Sequence, residues 1–240
     1  MSFVITLYVR EGIVLASDSR LTLNSTREED DKRIVQLAVG ETDSVYKTFL
    51  APNNIGLSTF GDADIQGVPI AGYVDSFISE KLSEPPPAVD EVPQKLLEYF
   101  RTFPGPPNIQ FHVAGYKTEN GQRRQHVWHV SVSDGGIERK NPADQQGATW
   151  GGEADVLARL LQPVGVIDSQ GKLVQSLPYH KVPWQFFTLQ DAIDFAIFAV
   201  RVTIDSLRFL PRPKTVGGPI DVLVIKPNEA FWVQRKELHS

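Results

Sequence analysis

The chain has 240 residues, 41% of them hydrophobic and 22% charged, with no cysteine and a net charge of −5. Its length and apolar content suit one globular domain over residues 1–240 with an ample core, and they speak against fibrous or disordered classes. The acidic balance argues against nucleic acid or an anionic membrane surface as partner; the missing thiols remove disulfides and Cys-based metal sites and suit a reducing cytoplasm; no apolar run approaches the roughly 20 residues of a membrane helix.

Strands are predicted near residues 3–9 and 12–19, joined by the charged turn Arg10-Glu11-Gly12 and closing in Asp18-Ser19-Arg20. Arg10 and Glu11 interrupt any signal-peptide core, so the start reads as mature structure. The run Arg27-Glu28-Glu29-Asp30-Asp31-Lys32-Arg33 reads as a solvated loop or helix face. Further strands are expected near 44–50 and 54–60, then a helix from Asp62 to Leu82 on the recurrence of Ile65, Val68, Ala71, Val74, Phe77 and Ile78, with Pro69 breaking or kinking it. Ser83-Glu84-Pro85-Pro86-Pro87 ends that helix, and a second runs from Asp90 to Phe103, burying Val92, Leu96, Leu97, Tyr99 and Phe100.

Pro104 to Pro107 turns the chain into strands near 109–117 and 125–133, linked by Glu119-Asn120-Gly121. A third helix should start near Glu153 and a long apolar one should run from Asp191 to about Phe209. The proline clusters read as turns rather than linkers, because periodic segments resume within a few residues. The order of elements predicts an α+β fold, a four-layer αββα sandwich of two antiparallel sheets between helix layers.

Ser2 is the residue with the most chemistry. Removal of Met1 would leave a hydroxyl nucleophile carrying its own α-amine, one of the few groups whose ordinary pKa, about 7.7 to 8.0, lies near neutrality. The amine can take the hydroxyl proton directly or through a water. A neighbouring lysine ammonium would keep that amine neutral, and a buried aspartate would keep the lysine oriented; Lys47 and Asp18 are the candidates. A tetrahedral intermediate also needs a backbone N–H aimed at its oxyanion, and Gly61, closing the strand Leu57-Ser58-Thr59-Phe60, suits that role.

These residues make the chain similar to the proteasome β-type subunits, members of the N-terminal nucleophile (Ntn) hydrolases. The family opens with a threonine nucleophile, an Asp-Ser-Arg triplet sixteen residues on, and a lysine fourteen residues before an oxyanion glycine; Ser2 to Asp18 and Lys47 to Gly61 repeat both spacings. Gly217-Gly218-Pro219-Ile220-Asp221-Val222-Leu223-Val224-Ile225 resembles the family's Gly-Gly strand, and the helix from Leu189 resembles the one before it. Bacterial homologues such as the group called the ancestral β subunit fit better than α subunits, which carry an extra N-terminal helix. The likeness implies the Ntn fold, a peptidase acting on peptides or unfolded proteins, no cofactor and no metal. It also implies assembly as a homo-oligomer into a ring, stacked rings or a spiral, and a main-chain substrate guide at Thr22 that aligns an extended chain like an added strand.

Three departures stand against it. The nucleophile is serine, and with only Met1 ahead of it exposure is expected to depend on methionine excision rather than self-cleavage. The family's supporting Gly-Ser-Gly turn aligns with Trp150-Gly151-Gly152, so Gly151 replaces the serine. Pro213 and Val216 stand where the family has an aspartate and a serine, with Thr215, Asp205 or Ser206 as possible replacements. The alternatives to a peptidase are a small-molecule Ntn amidase and an inert scaffold subunit. The five histidines show no metal-ligand spacing, and Asp191 and Asp194 near a helix start suit its dipole rather than paired-carboxylate catalysis.

Overall fold

The segment Phe3 to Val9 has hardly a polar side, which is what a strand covered on both faces requires. In the computed structural model, which describes residues 2–29, 32–105 and 107–238, it forms β1 (Phe3–Val9), buried along its whole length, and turns into β2 (Gly12–Ser17). There follow β3 (Leu21–Glu29), β4 (Lys32–Thr42), β5 (Thr48–Ala51), β6 (Ile55–Gly61), the short β7 (Asp64–Ile65) and β8 (Val68–Pro69), and helices α1 (Ile70–Lys81) and α2 (Val92–Phe100). The second half holds β9 (Ile109–Glu119), β10 (Gln122–Ser131), β11 (Gly136–Arg139), β12 (Gly147–Gly152), α3 (Asp155–Leu161), β13 (Gly165–Ile167), β14 (Leu173–Ser176), α4 (Leu189–Arg208), β15 (Asp221–Ile225) and β16 (Ala230–Gln234).

Two five-stranded sheets organise the chain, one in the order β12-β1-β2-β15-β16 and the other β11-β10-β9-β6-β5, with every described pairing antiparallel. The fold is thus mixed α+β with four α-helices among the described residues, compatible with a sandwich. Strand periodicity sorts the core. Phe3, Ile5, Leu7 and Val9 of β1 pack with Val222 and Val224 against the small residues Ala192, Ala196 and Ala199 of α4, which let the helix lie close to the sheet. In the other sheet, Leu57, Phe111 and Val113 pack against Val74 and Phe77 of α1 and Leu96 and Phe100 of α2. The opposite faces meet at Tyr8, Ile13, Leu15, Ala114, Val127, Leu223 and Ile225.

Toward the Asp18 end this inter-sheet layer becomes polar. Thr6 Oγ1 lies 3.1 Å from His112 Nδ1, and Thr48 Oγ1 donates to Ser17 Oγ at 2.9 Å, each bond joining one sheet to the other. Buried hydroxyls need such partners.

The expected helix over 62–82 begins only at Ile70. Pro69 disfavours helical geometry at Val68, and Gln66 and Gly67 take positive φ values of 53° and 79°, so the first turns become the β7–β8 ribbon instead. The charge run is not a loop or helix face either: its described part lies in the antiparallel β3–β4 ribbon, whose flanks Leu21-Thr22-Leu23 and Ile34-Val35 are β-formers, while Asp30 and Asp31 fall outside the described residues. The strand expected at 44–50 starts at Thr48, because the Val45 N–H is taken by the Ser19 carbonyl (3.2 Å) rather than by a ladder. At α4, Thr188 and Asp191 form a reciprocal capping box that starts the helix at Leu189. Beyond the expected elements the chain adds β11, β12, β16 and the β13–β14 ribbon, whose residues are all exposed.

Candidate active site

Where β1 begins, the backbone of Ser2 is held on both sides. Its carbonyl accepts the Glu153 N–H at 2.8 Å, and the next amide, Phe3 N–H, donates to Asp18 Oδ1 at 2.9 Å. Asp18 N–H returns a 3.3 Å bond to the Phe3 carbonyl. The register Val4↔Ser17 between β1 and β2 puts the chain start beside the triplet, as the strand–turn–strand reading expects.

Asp18 is fully buried and fully used. Oδ1 accepts from Phe3 N–H and from Lys47 Nζ at 2.7 Å; Oδ2 accepts from the backbone N–H of Arg20 (3.1 Å) and Gly217 (3.0 Å). Four donors on two oxygens meet the whole acceptor capacity expected of a buried carboxylate. The rest of the triplet braces this frame: Ser19 Oγ donates to the Pro219 carbonyl (2.7 Å), and Arg20 makes a two-pronged bond to Asp43 (2.7 and 2.9 Å).

Lys47, just ahead of β5, is 3% exposed. Its Nζ donates to Asp18 Oδ1 and to the Arg20 carbonyl at 2.6 Å. Two of its three donors are therefore used, and the third meets no acceptor among the described residues. Burial pushes the Lys47 ammonium pKa below its ordinary value, Asp18 opposes that by attraction, and the positive charge of Lys236 adds to the lowering.

Ser2 and Lys47 line one narrow cleft with Leu21, Tyr46, Thr59, Phe60, Asp62 and Ile70. Its volume of about 20 Å³ is room for one water-sized group, so a substrate would reach it with its reacting group and lie across the mouth. Gly61 sits between the lining residues Phe60 and Asp62 at φ 109°, and a Cβ there would collide with the Asn108 carbonyl. That collision is a structural reason for glycine at 61, independent of any oxyanion role. The expected helix directly after Gly61 is absent; the β7–β8 turn follows instead. Thr22 lies one residue from the cleft, opposite Glu41 in the β3–β4 ribbon, with a buried hydroxyl that finds no partner among the described residues. Ser2, Asp18, Lys47 and Gly61 are brought together; Thr22 is adjacent to them.

The support positions differ more. A Cβ on Gly151 would collide with the Phe60 ring at Cε2 and Cζ. Val216 is buried and Thr215 has a buried hydroxyl with no partner among the described residues, whereas Asp205 is exposed on the last turns of α4. Met1 lies outside the described residues.

Sequence reasoning missed two groups. Glu153, nearly buried, pairs with Arg212 Nη2 at 2.5 Å directly beyond its bond to Ser2. Lys236 pairs with the buried Asp221 and lies 4.2 Å from the centre of the Tyr46 ring. Asp221 carried a signal, an acid inside the otherwise apolar strand Ile220 to Ile225; Lys236 carried none. Among the described residues no cluster of three or more His, Cys, Asp or Glu is arranged to hold a metal. His112 is buried with its pKa pushed down to about 3 by desolvation, which keeps the ring neutral. No protein-family model matches the sequence, and no curated protein matches it.

Proposed function

We propose that the chain is a proteasome-like Ntn hydrolase with a four-layer αββα fold, a peptidase that cleaves amide bonds through an ester on Ser2 once Met1 is removed. The observation that carries the reading is the Asp18 carboxylate, which binds the Lys47 ammonium and the Phe3 amide at the same oxygen and so fixes lysine and nucleophile in one frame. Ser2 Oγ attacks the scissile carbonyl, the α-amine takes its proton and returns it to the leaving amine, and water then releases the acyl group. Lys47 keeps the amine neutral, Asp18 holds Lys47, and the Gly61 N–H receives the oxyanion. Thr22 would guide an extended peptide along β3.

The test is intact mass of the protein from its native cell, followed by a covalent probe on Ser2 and turnover of fluorogenic peptides. Loss of Met1 with peptide turnover supports the reading; a retained Met1 leaves the nitrogen an amide without basicity and overturns it. A second reading, an inert scaffold subunit, is favoured by the crowding of Gly151 against Phe60, which leaves no room for the family's serine. A small-molecule amidase is the third, and a panel of acylated small amines separates it from the peptidase. Assembly with further copies of the chain belongs to the same proposal. Its support is the exposed β13–β14 ribbon, where Ile167, Leu173 and Val174 are 63%, 58% and 59% exposed, since a two-stranded ribbon bare on both faces has little stability of its own.

A further inference from the structure

A second buried ion pair lies beside the first. Lys236, in the segment after β16, has a side chain 3% exposed, and Asp221, at the start of β15, has none exposed. Lys236 Nζ is bonded to Asp221 Oδ2, and its backbone N–H donates to Asp221 Oδ1 at 2.8 Å, so one carboxylate fixes both ends of the residue. Asp221 is the register partner of Ser17, the residue before Asp18. The two pairs, Asp18–Lys47 and Asp221–Lys236, therefore stand on neighbouring strands, with Tyr46 as the residue common to both. The Tyr46 ring lies under Lys236 Nζ at 4.2 Å and under the Arg235 guanidinium at 4.9 Å, its hydroxyl donates to the Lys236 carbonyl at 3.3 Å, and it lines the cleft next to Lys47.

Lysine is almost never fully buried unless paired, and replacing such a pair by apolar groups is often neutral or stabilising. Its stability contribution therefore does not explain why the pair is here, whereas its place behind Tyr46 does. We propose that Lys236, anchored on Asp221, is a positioning residue of the candidate Ser2 centre, acting on Lys47 through Tyr46, which touches Lys236 and lines the cleft beside Lys47. The inference rests on the Ser2–Lys47 reading above. The groups facing Lys47 are Asp18, Asp43 and the Arg20 carbonyl, which favour its ammonium, and Lys236, which disfavours it; Lys236 in turn faces Asp221, Asp18 and Arg235. With Lys236 in place Lys47 gives up its proton more readily.

The test uses the full-length protein labelled with ¹³C,¹⁵N-lysine, following the Lys47 side-chain resonance against pH, assigned by its loss in Lys47→Arg, together with the pH profile of kcat/KM on a fluorogenic peptide. The paired variant Lys236→Met/Asp221→Asn removes both charges at near-constant volume. In it the Lys47 midpoint moves to higher pH, because of the two charges removed it is the one on Lys236 that acts on Lys47, and the basic limb of kcat/KM, set by loss of the Lys47 ammonium, moves up with it. Lys236→Arg, which keeps the charge, retains the wild-type midpoint. An unchanged midpoint in the folded paired variant, or a shift in Lys236→Arg as large as in the paired variant, overturns the proposal. If the paired variant does not fold, the wild-type titration decides: the Lys47 resonance shows a second inflection as Lys236 deprotonates, and a single inflection overturns the inference. A wild-type chain that turns over no peptide but whose Lys47 midpoint shifts as described would mark the peptidase reading, not this coupling, as the failure.

Discussion

The ring of Phe60 fills the space that a side chain at Gly151 would need, so the end of β12 can lie against β6 only because residue 151 is glycine. Phe60 is fixed there by an edge contact with His112 at 5.2 Å and by stacking on His129 at 6.0 Å. Gly151→Ser should therefore be destabilising by about 1–3 kcal/mol, the usual cost of overpacking a filled site. Combined with Phe60→Ala, the serine should cost much less, a non-additive pair in a double-mutant cycle read from urea midpoints. Equal costs in the two backgrounds would mean that the ring yields freely. The double variant also returns a hydroxyl to the position where the proteasome β family carries one, so a higher peptide turnover than in Phe60→Ala alone would support the hydrolase reading.

Asp18 and Lys47 should respond unequally to removal. Without Lys47 the carboxylate keeps three backbone donors, from Phe3, Arg20 and Gly217, so Lys47→Met should lose turnover at a stability cost below about 2 kcal/mol. Asp18→Ala removes the common acceptor, orphans those three N–H groups and leaves the Lys47 ammonium buried without its counter-ion. The expected cost is about 3–5 kcal/mol, seen as a fall in Tm. If the order of the two costs were reversed, Asp18 would not be the organiser of the site.

How far the sequence carried this picture follows from the range of each signal. Spacing along β1 and β2 is local, so the meeting of Ser2 with Asp18 was legible once a two-residue period and a tight turn were recognised, whereas the spacing that picked out Lys47 came with the likeness to the proteasome β subunits. Helix starts were less so: Asp62 and Asp64 look like a first turn, but Pro69 and the positive φ of Gln66 and Gly67 decide against it. The charges from Arg27 to Arg33 masked β-forming flanks. Lys236 was invisible because its partner lies fifteen residues away across the β15–β16 turn and its burial depends on Tyr46, far off in sequence. The Phe60–Gly151 fit was invisible for the same reason, since a glycine shows what it permits only when its neighbour is in place.

His112 predicts a pH dependence of stability. Its folded pKa is pushed down to about 3 from 6.5, burial being the main cause and His129 and Lys140 adding to it. Between those values the unfolded chain binds a proton that the folded chain does not, so stability is full above pH 6.5 and is lost as pH falls toward 3. A pKa displaced by one pH unit between the two states corresponds to about 1.4 kcal/mol, so the loss amounts to a few kcal/mol. His112→Gln, which keeps a partner for Thr6, should flatten the fall in urea midpoint between neutral pH and pH 4 relative to wild type. His126 and His129, also held below their ordinary pKa chiefly by burial, leave a residual slope. A variant curve parallel to the wild-type curve would show that His112 takes up a proton in the folded state.

The β13–β14 ribbon offers a test of assembly that leaves the candidate site untouched. Ile167, Leu173 and Val174 hold no place in the three core clusters, so Ile167→Lys and Val174→Lys should leave the Tm of the isolated subunit nearly unchanged. If the ribbon is covered by another copy of the chain, each buried aliphatic side chain contributes about 1.5–3 kcal/mol to that contact, and introducing two lysines should weaken association by at least a hundredfold. Sedimentation velocity reads the result directly: the wild type should run as an oligomer that the double variant converts to monomer at the same concentration. A wild-type chain that sediments only as a monomer removes the assembly expectation, and an oligomer untouched by the two lysines moves the contact to another surface, with exposed Phe198 and Phe209 of the α4 region next to be tested.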